Sequence, residues 1–205
     1  MKGIFDYDSK FMQWACRAAE YMFLNILTVL CSLPIITAGA AFTAMYYTLS
    51  KMGNDACTSV GKEFFKSFRM NLLQSTVLEL MYLILALILW GDYYVVNNVW
   101  HQKNIFLMIL LAIGVILWLL SFTWGFILQA RYDNPLKATI KNTVVVGGFQ
   151  IIYTIPVLIL KIAPWVLLVF VPDTAPFVLM FGFSASGYAQ EKLYRNVYRK
   201  CEETL

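Results

Sequence analysis

Between residues 105 and 128 the chain carries no charged side chain. A stretch of roughly 20 such residues is enough to cross the hydrocarbon core of a bilayer as a helix. This run does not stand alone. Comparable apolar runs lie at 15–33, 72–92 and 144–171, and shorter ones at 37–51 and 177–190. Hydrophobic residues make up 60% of the 205, charged residues only 14%, and the mean hydropathy is +0.66. A soluble domain carries roughly 25% charged residues. The expected fold is an all-α integral membrane bundle, one multispanning domain over residues 1–205, with about six transmembrane helices. A five-crossing arrangement, with residues 15–49 as one helix, is the alternative.

The basic residues favour six. Cytoplasmic loops of membrane proteins collect Lys and Arg. With six crossings and both ends inside, every basic residue except Lys103 and Lys161 falls on the cytoplasmic side. Five crossings separate the group Lys2, Lys10 and Arg17 from the group Lys51, Lys62, Lys66 and Arg69. The apolar run before Ala38-Gly39-Ala40 is too long, and its flank too balanced in charge, for a cleaved signal peptide. It is expected to remain as the first membrane helix.

Pro34 lacks a helix donor and Gly39 is conformationally permissive, so Pro34, Thr37 and Gly39 are expected to break the chain between the first two runs. Pro156 and Pro164 are expected to kink the fifth. Three amphipathic stretches look like interfacial helices. One is at the N-terminus, around Phe11, Met12, Ala15 and Ala19, with Asp8 as a candidate cap. The second places Val60, Phe64, Phe65, Phe68 and Leu72 on one face with Arg69 beside it, and Phe64, Phe65, Phe68 and Arg69 are the candidate headgroup anchor. The third is the tail, with Leu193, Tyr194, Val197, Tyr198 and Cys201. Trp90, Tyr93, Tyr94 and Trp100 suit an outer aromatic belt.

Catalytic and metal chemistry find little support. His101 is the single histidine, no cysteine pair has metal-ligand spacing, and Cys16, Cys31, Cys57 and Cys201 read as free thiols. Gly182-Phe183-Ser184-Ala185-Ser186 lacks the second glycine of a nucleophile elbow. No basic face on a polar domain suggests nucleic acid. The expectation is a non-enzyme with no cofactor.

Polar residues inside the spans are more informative, because charge in lipid is costly. Glu79 lies on a stripe with Ser75, Tyr82 and Ala86. Lys161 shares a face with Gln150 and Thr154. Asn25, Thr28 and Ser32 line the first run, and Gly114, Trp118, Ser121, Gly125 and Gln129 the fourth. Glu79, Lys161, Asn25 and Gln150 form the candidate intramembrane polar site, with Glu79 paired to Lys161. The simpler expectation is that these seams pack helices together, small residues allowing close approach and hydroxyls bonding across.

Residues 25–47 read NILTVLCSLPIITAGAAFTAMYY. This segment resembles the opening of the YesL family of bacterial membrane proteins, whose biochemical function is unknown. The matching positions are Asn25, Cys31, Leu33, Pro34, Ile35, Thr37, Gly39, Ala41, Ala44, Tyr46 and Tyr47. The family's proline after the glycine is Ala40 here. Two further blocks fall in order, Phe64-Phe65 through Asn71, Gln74 and Ser75, and Ala130-Arg131-Tyr132 through Lys141-Asn142. The resemblance implies a small multispanning protein accessory to a carbohydrate-uptake system of the ABC type. The expected partners are the lipid bilayer and a sugar permease, or a second copy of the chain. A small oligomeric transporter or channel that uses Glu79 and Lys161 is the alternative.

Overall fold

The computed structural model describes residues 10–53, 59–99, 105–132 and 135–202, with Lys10, Val99 and 196–202 through their backbone alone. Asp8, Cys57, Trp100, His101 and Lys103, and the side chains of Val197, Tyr198, Arg199, Lys200 and Cys201, lie outside the described residues. Among those described every regular element is helical. Helix α1 is Lys10–Ser32, a 3₁₀ turn covers Ile35–Thr37, and α2 is Ala38–Gly53. Helix α3, Val60–Tyr94, runs on into a π-helical turn, Val95–Val99. Then come α4, Ile105–Arg131, α5, Leu136–Phe149, and α6, Ile151–Phe170. A 3₁₀ turn, Pro172–Thr174, a short α7, Ala175–Phe177, and a π-helical turn, Val178–Gly182, lead into α8, Phe183–Glu202.

Three helices are long and apolar enough to cross a membrane: 60–98, 105–131 and 151–170. They suggest a membrane protein, and the expected count of six goes beyond them. The 16 residues of α2 extend about 24 Å at 1.5 Å each, short of a hydrocarbon core of roughly 30 Å. Its first turn lies beside Ser75 and Glu79, near the middle of α3. The segment expected at 37–51 therefore starts beside the middle of α3.

Helix α2 is the centre of the packing. It touches α1, α3, α4 and α8, and its small residues Gly39, Ala40, Ala41 and Ala44 let those neighbours approach closely. Leu24, Met45, Leu49, Phe64, Leu78, Trp124, Ile127, Val157 and Tyr194 complete the buried core around it.

Two boundaries differ from the sequence expectation. The interfacial helix around Phe64 and the third run are one continuous helix, α3, because nothing between Phe68 and Leu72 breaks it. Its Phe64 is fully buried, while Phe65 is exposed and Phe68 half-buried, so Phe64 faces the protein core and not the headgroups. The run at 144–171 is two helices. The break falls at Gln150, φ −113° and ψ 42°, just after Gly147-Gly148, while both prolines sit inside α6. A proline removes the hydrogen bond to the carbonyl four residues earlier. For Pro164 that carbonyl belongs to Leu160, and the Ser186 hydroxyl of α8 donates to it instead. The helix is repaired from outside, as interior prolines in apolar surroundings require.

Candidate functional site

The break between α1 and α2 leaves carbonyls at the end of one helix and amides at the start of the next without intrahelical partners. Several are met by side chains. The Thr37 hydroxyl donates to Cys31 O at 2.8 Å and Pro34 O at 3.0 Å. Thr76 of α3 donates to Ile36 O at 3.0 Å. The Gly39 amide donates to Glu79 Oε2 at 2.7 Å, so a carboxylate from α3 caps α2. Thr43, which also donates to Gly39 O, lies 3.0 Å from the Ser75 hydroxyl. A Cβ on Gly39 would stand 2.8 Å from both Ser75 O and Phe126 Cε1. Glycine is needed there for closeness.

Lys161 does not pair with Glu79. Its ammonium donates to Phe122 O at 2.6 Å and Thr123 O at 3.1 Å, tying α6 to α4. It also lies over the rings of Phe122 and Phe126, 4.4 and 5.3 Å from their centroids. Glu79 and Lys161 nonetheless line one cavity of about 460 Å³, bounded by α2, α3, α4, α6 and α8. The expected ion pair is thus replaced by two charges facing a shared space, each held by backbone groups.

Asn25 and Gln150 are elsewhere. The Asn25 amide donates to Leu179 O at 2.7 Å and Val178 O at 3.3 Å, and its oxygen accepts the Ser184 amide at 2.7 Å. A π-helical turn disturbs the regular carbonyl-to-amide ladder. Asn25 supplies partners to the turn at 178–182 from across the fold. Gln150 caps the junction of α5 and α6, its carbonyl accepting the amides of Tyr153 and Thr154.

The α3 and α4 seams face each other. Tyr82 donates to Ser121 O at 2.9 Å, and Trp118 Nε1 donates to Tyr82 O at 3.0 Å. Ser121 in turn lies 2.9 Å from the Thr143 hydroxyl of α5. Gln129 joins α3 and α5 through Asn71 and Thr139.

A charged cluster that the sequence reading did not single out sits at the opposite end of α2. Arg131 donates to Glu191 at 3.2 Å, Arg195 lies 3.8 Å from the same carboxylate oxygen, and Arg195 donates to Gly53 O at 3.0 Å. Arg17 donates to Met52 O at 3.4 Å. The Glu191 side chain is only 3% exposed. Burial raises its pKa above the ordinary carboxylate value, and the two guanidiniums and Ser50 pull it back down. The i, i+4 spacing of Glu191 and Arg195 was the visible signal; Arg131 comes from 60 residues away.

A family model described as "Protein of unknown function, DUF624" matches residues 21–93. That segment runs from within α1 to the end of α3, and holds the break, the Gly39–Glu79 contact and the charge of Glu79, but not Lys161. Comparison with the curated proteins and with the solved structures finds no match.

Proposed function

We propose that this chain is a non-enzymatic multispanning protein of the bacterial plasma membrane, accessory to an ABC-type carbohydrate-uptake system. The resemblance of residues 25–47 to the YesL family supports that context. The structural observation that carries the reading is the arm formed by α3 and α4 beyond Tyr82 and Ser121. There both helices are apolar and exposed on nearly every side, with Leu87 at 67% and Ile105 at 75%. Such an arm suits packing among the membrane helices of a permease. In this reading α3, α4, α6 and the helical segment at 177–190 cross the membrane, with Glu191 and its arginines at the cytoplasmic end. The α1–α2 hairpin enters from the cytoplasm and returns, which leaves both termini and the basic groups on that side as six full crossings would.

The test is a mild-detergent pull-down of the tagged protein from its native membrane. Stoichiometric recovery of a sugar permease supports the role. Recovery alone or as a homo-oligomer overturns it. The cavity holding Glu79 and Lys161 favours a second reading, a small oligomeric transporter. Solute flux in liposomes containing this protein alone, lost in Glu79→Gln, would support that one.

A further inference from the structure

We propose that the cavity between α2 and α6 binds a small zwitterion, its ammonium meeting Glu79 and its anionic group meeting Lys161. The site rests on the second reading's two residues, but needs neither transport nor a permease. An ammonium has three N–H donors, and carbonyls of α4 take two from Lys161. A carboxylate has two acceptor oxygens, and the Gly39 amide occupies one of Glu79. Lys161 keeps one further donor, beside the rings of Phe122 and Phe126, and Glu79 one further acceptor oxygen; both side chains line the same 460 Å³, a volume ordinary for a small-molecule site. Charges of opposite sign in apolar surroundings are costly unless each is matched. An anion alone would satisfy Lys161 and leave Glu79, a cation the reverse, and a neutral molecule neither. A molecule bearing both charges satisfies the two together.

The rim says how such a molecule arrives. Ile35, Leu83, Ile162 and Trp165 border the cavity and are exposed apolar side chains. The opening is therefore greasy, while the interior sets two charged groups among apolar and aromatic side chains. That combination fits an amphiphile whose head enters and whose chains stay outside, such as a zwitterionic lipid with a primary amine and a phosphate. A free molecule with the same head, such as phosphoethanolamine, shares the recognising chemistry.

The purified full chain in detergent would be titrated with three probes: dihexanoyl phosphatidylethanolamine, dihexanoyl phosphatidylglycerol and free phosphoethanolamine. Trp118 and Trp165 line the cavity, so tryptophan fluorescence reads occupancy. The expected result is saturable binding of the ethanolamine lipid. Glu79→Gln should weaken it roughly tenfold, as loss of one charged hydrogen bond would, and leave the glycerol lipid unaffected. Ala86→Phe, which fills the cavity from α3, should abolish it. Equal binding of both lipids, insensitive to both substitutions, would overturn the proposal, as would no saturable binding of any probe. Free phosphoethanolamine binding as tightly as the lipid would support the zwitterion site and assign it a soluble ligand. If Ala86→Phe fails to fold, Glu79→Gln still decides, because its amide oxygen can accept the Gly39 amide. Failure of the pull-down or of the flux assay leaves this outcome unchanged.

Discussion

Glu79 and Gly39, 40 residues apart in the chain, are joined at 2.7 Å by a hydrogen bond from the amide that opens α2 to a carboxylate midway along α3. The bond links the two most distinctive features of the matched segment, the helix break and the acid midway along α3. It makes the acid a positioning group for the break, whatever else it binds.

Replacing Glu79 with Ala should therefore destabilise the fold by about 1–3 kcal/mol, the cost of an orphaned buried amide. Glu79→Gln should cost less, since its amide carbonyl can still accept. Thermal unfolding of both variants in detergent would check the order, and equal losses would show that charge and not capping matters.

Gly39→Ala should be as harmful. The new methyl meets the backbone oxygen of Ser75, which cannot swing aside as a side chain can. The expected loss is about 1–3 kcal/mol, typical of overpacking, with α2 displaced from α3. Gly187→Ala is the contrast: its near neighbours are the flexible ends of Leu49 and Met45, so its loss should be smaller. The same unfolding assay compares the two.

Asn25→Leu removes three hydrogen bonds to the turn at 178–182 and its flank. A loss of about 2–3 kcal/mol is expected, with faster amide exchange confined to that turn and the start of α8. Uniform exchange across the protein would show that Asn25 does not specifically hold the turn.

Glu191 gives a pH dependence. Its pKa is raised in the folded protein, so the folded state holds that proton more firmly than the unfolded chain does. The resulting stability is fully present below the unfolded value of 4.5 and is lost as pH rises through the folded value. Glu191→Gln should flatten the profile in that window. Arg131→Met should steepen it, because one of the charges that lowers the pKa is gone. Unfolding midpoints measured upward from pH 4 would show this, and a wild-type profile rising over the window would contradict it.

Orientation can be read by labelling. Asn98 is exposed at the tip of the α3–α4 arm. In intact cells a membrane-impermeant thiol reagent should modify Asn98→Cys and leave Cys16, exposed near the opposite end of α1, untouched. The reverse pattern would invert the proposed topology.

The sequence made the apolar rods legible because α3, α4 and α6 contain long unbroken hydrophobic runs. The break at Pro34, Thr37 and Gly39 was equally readable, since proline and glycine act on the local backbone. Two boundaries were not. At Phe68–Leu72 the pattern changes from one-sided to all-round apolar, which resembles a new element although nothing ends the helix. In the run at 144–171 the local rule pointed to Pro156 and Pro164, but the helix ends at Gln150, and a hydroxyl on α8 takes up the carbonyl that Pro164 frees. The Glu79–Lys161 pair was inferred from opposite charge alone. Nearer backbone groups, Gly39 N–H for one and the carbonyls of Phe122 and Thr123 for the other, took both partners.

The 35 residues of α3 make a rod about 52 Å long, and the clasp at Glu79 grips it close to its midpoint. Below the clasp the rod is set in the core through Phe64 and Asn71, and beyond Tyr82 it stands clear. A tilt of about ten degrees around the clasp would therefore swing the free end by roughly 4–5 Å. The tip of the apolar arm thus magnifies small shifts at the contacts that also close the break between α1 and α2.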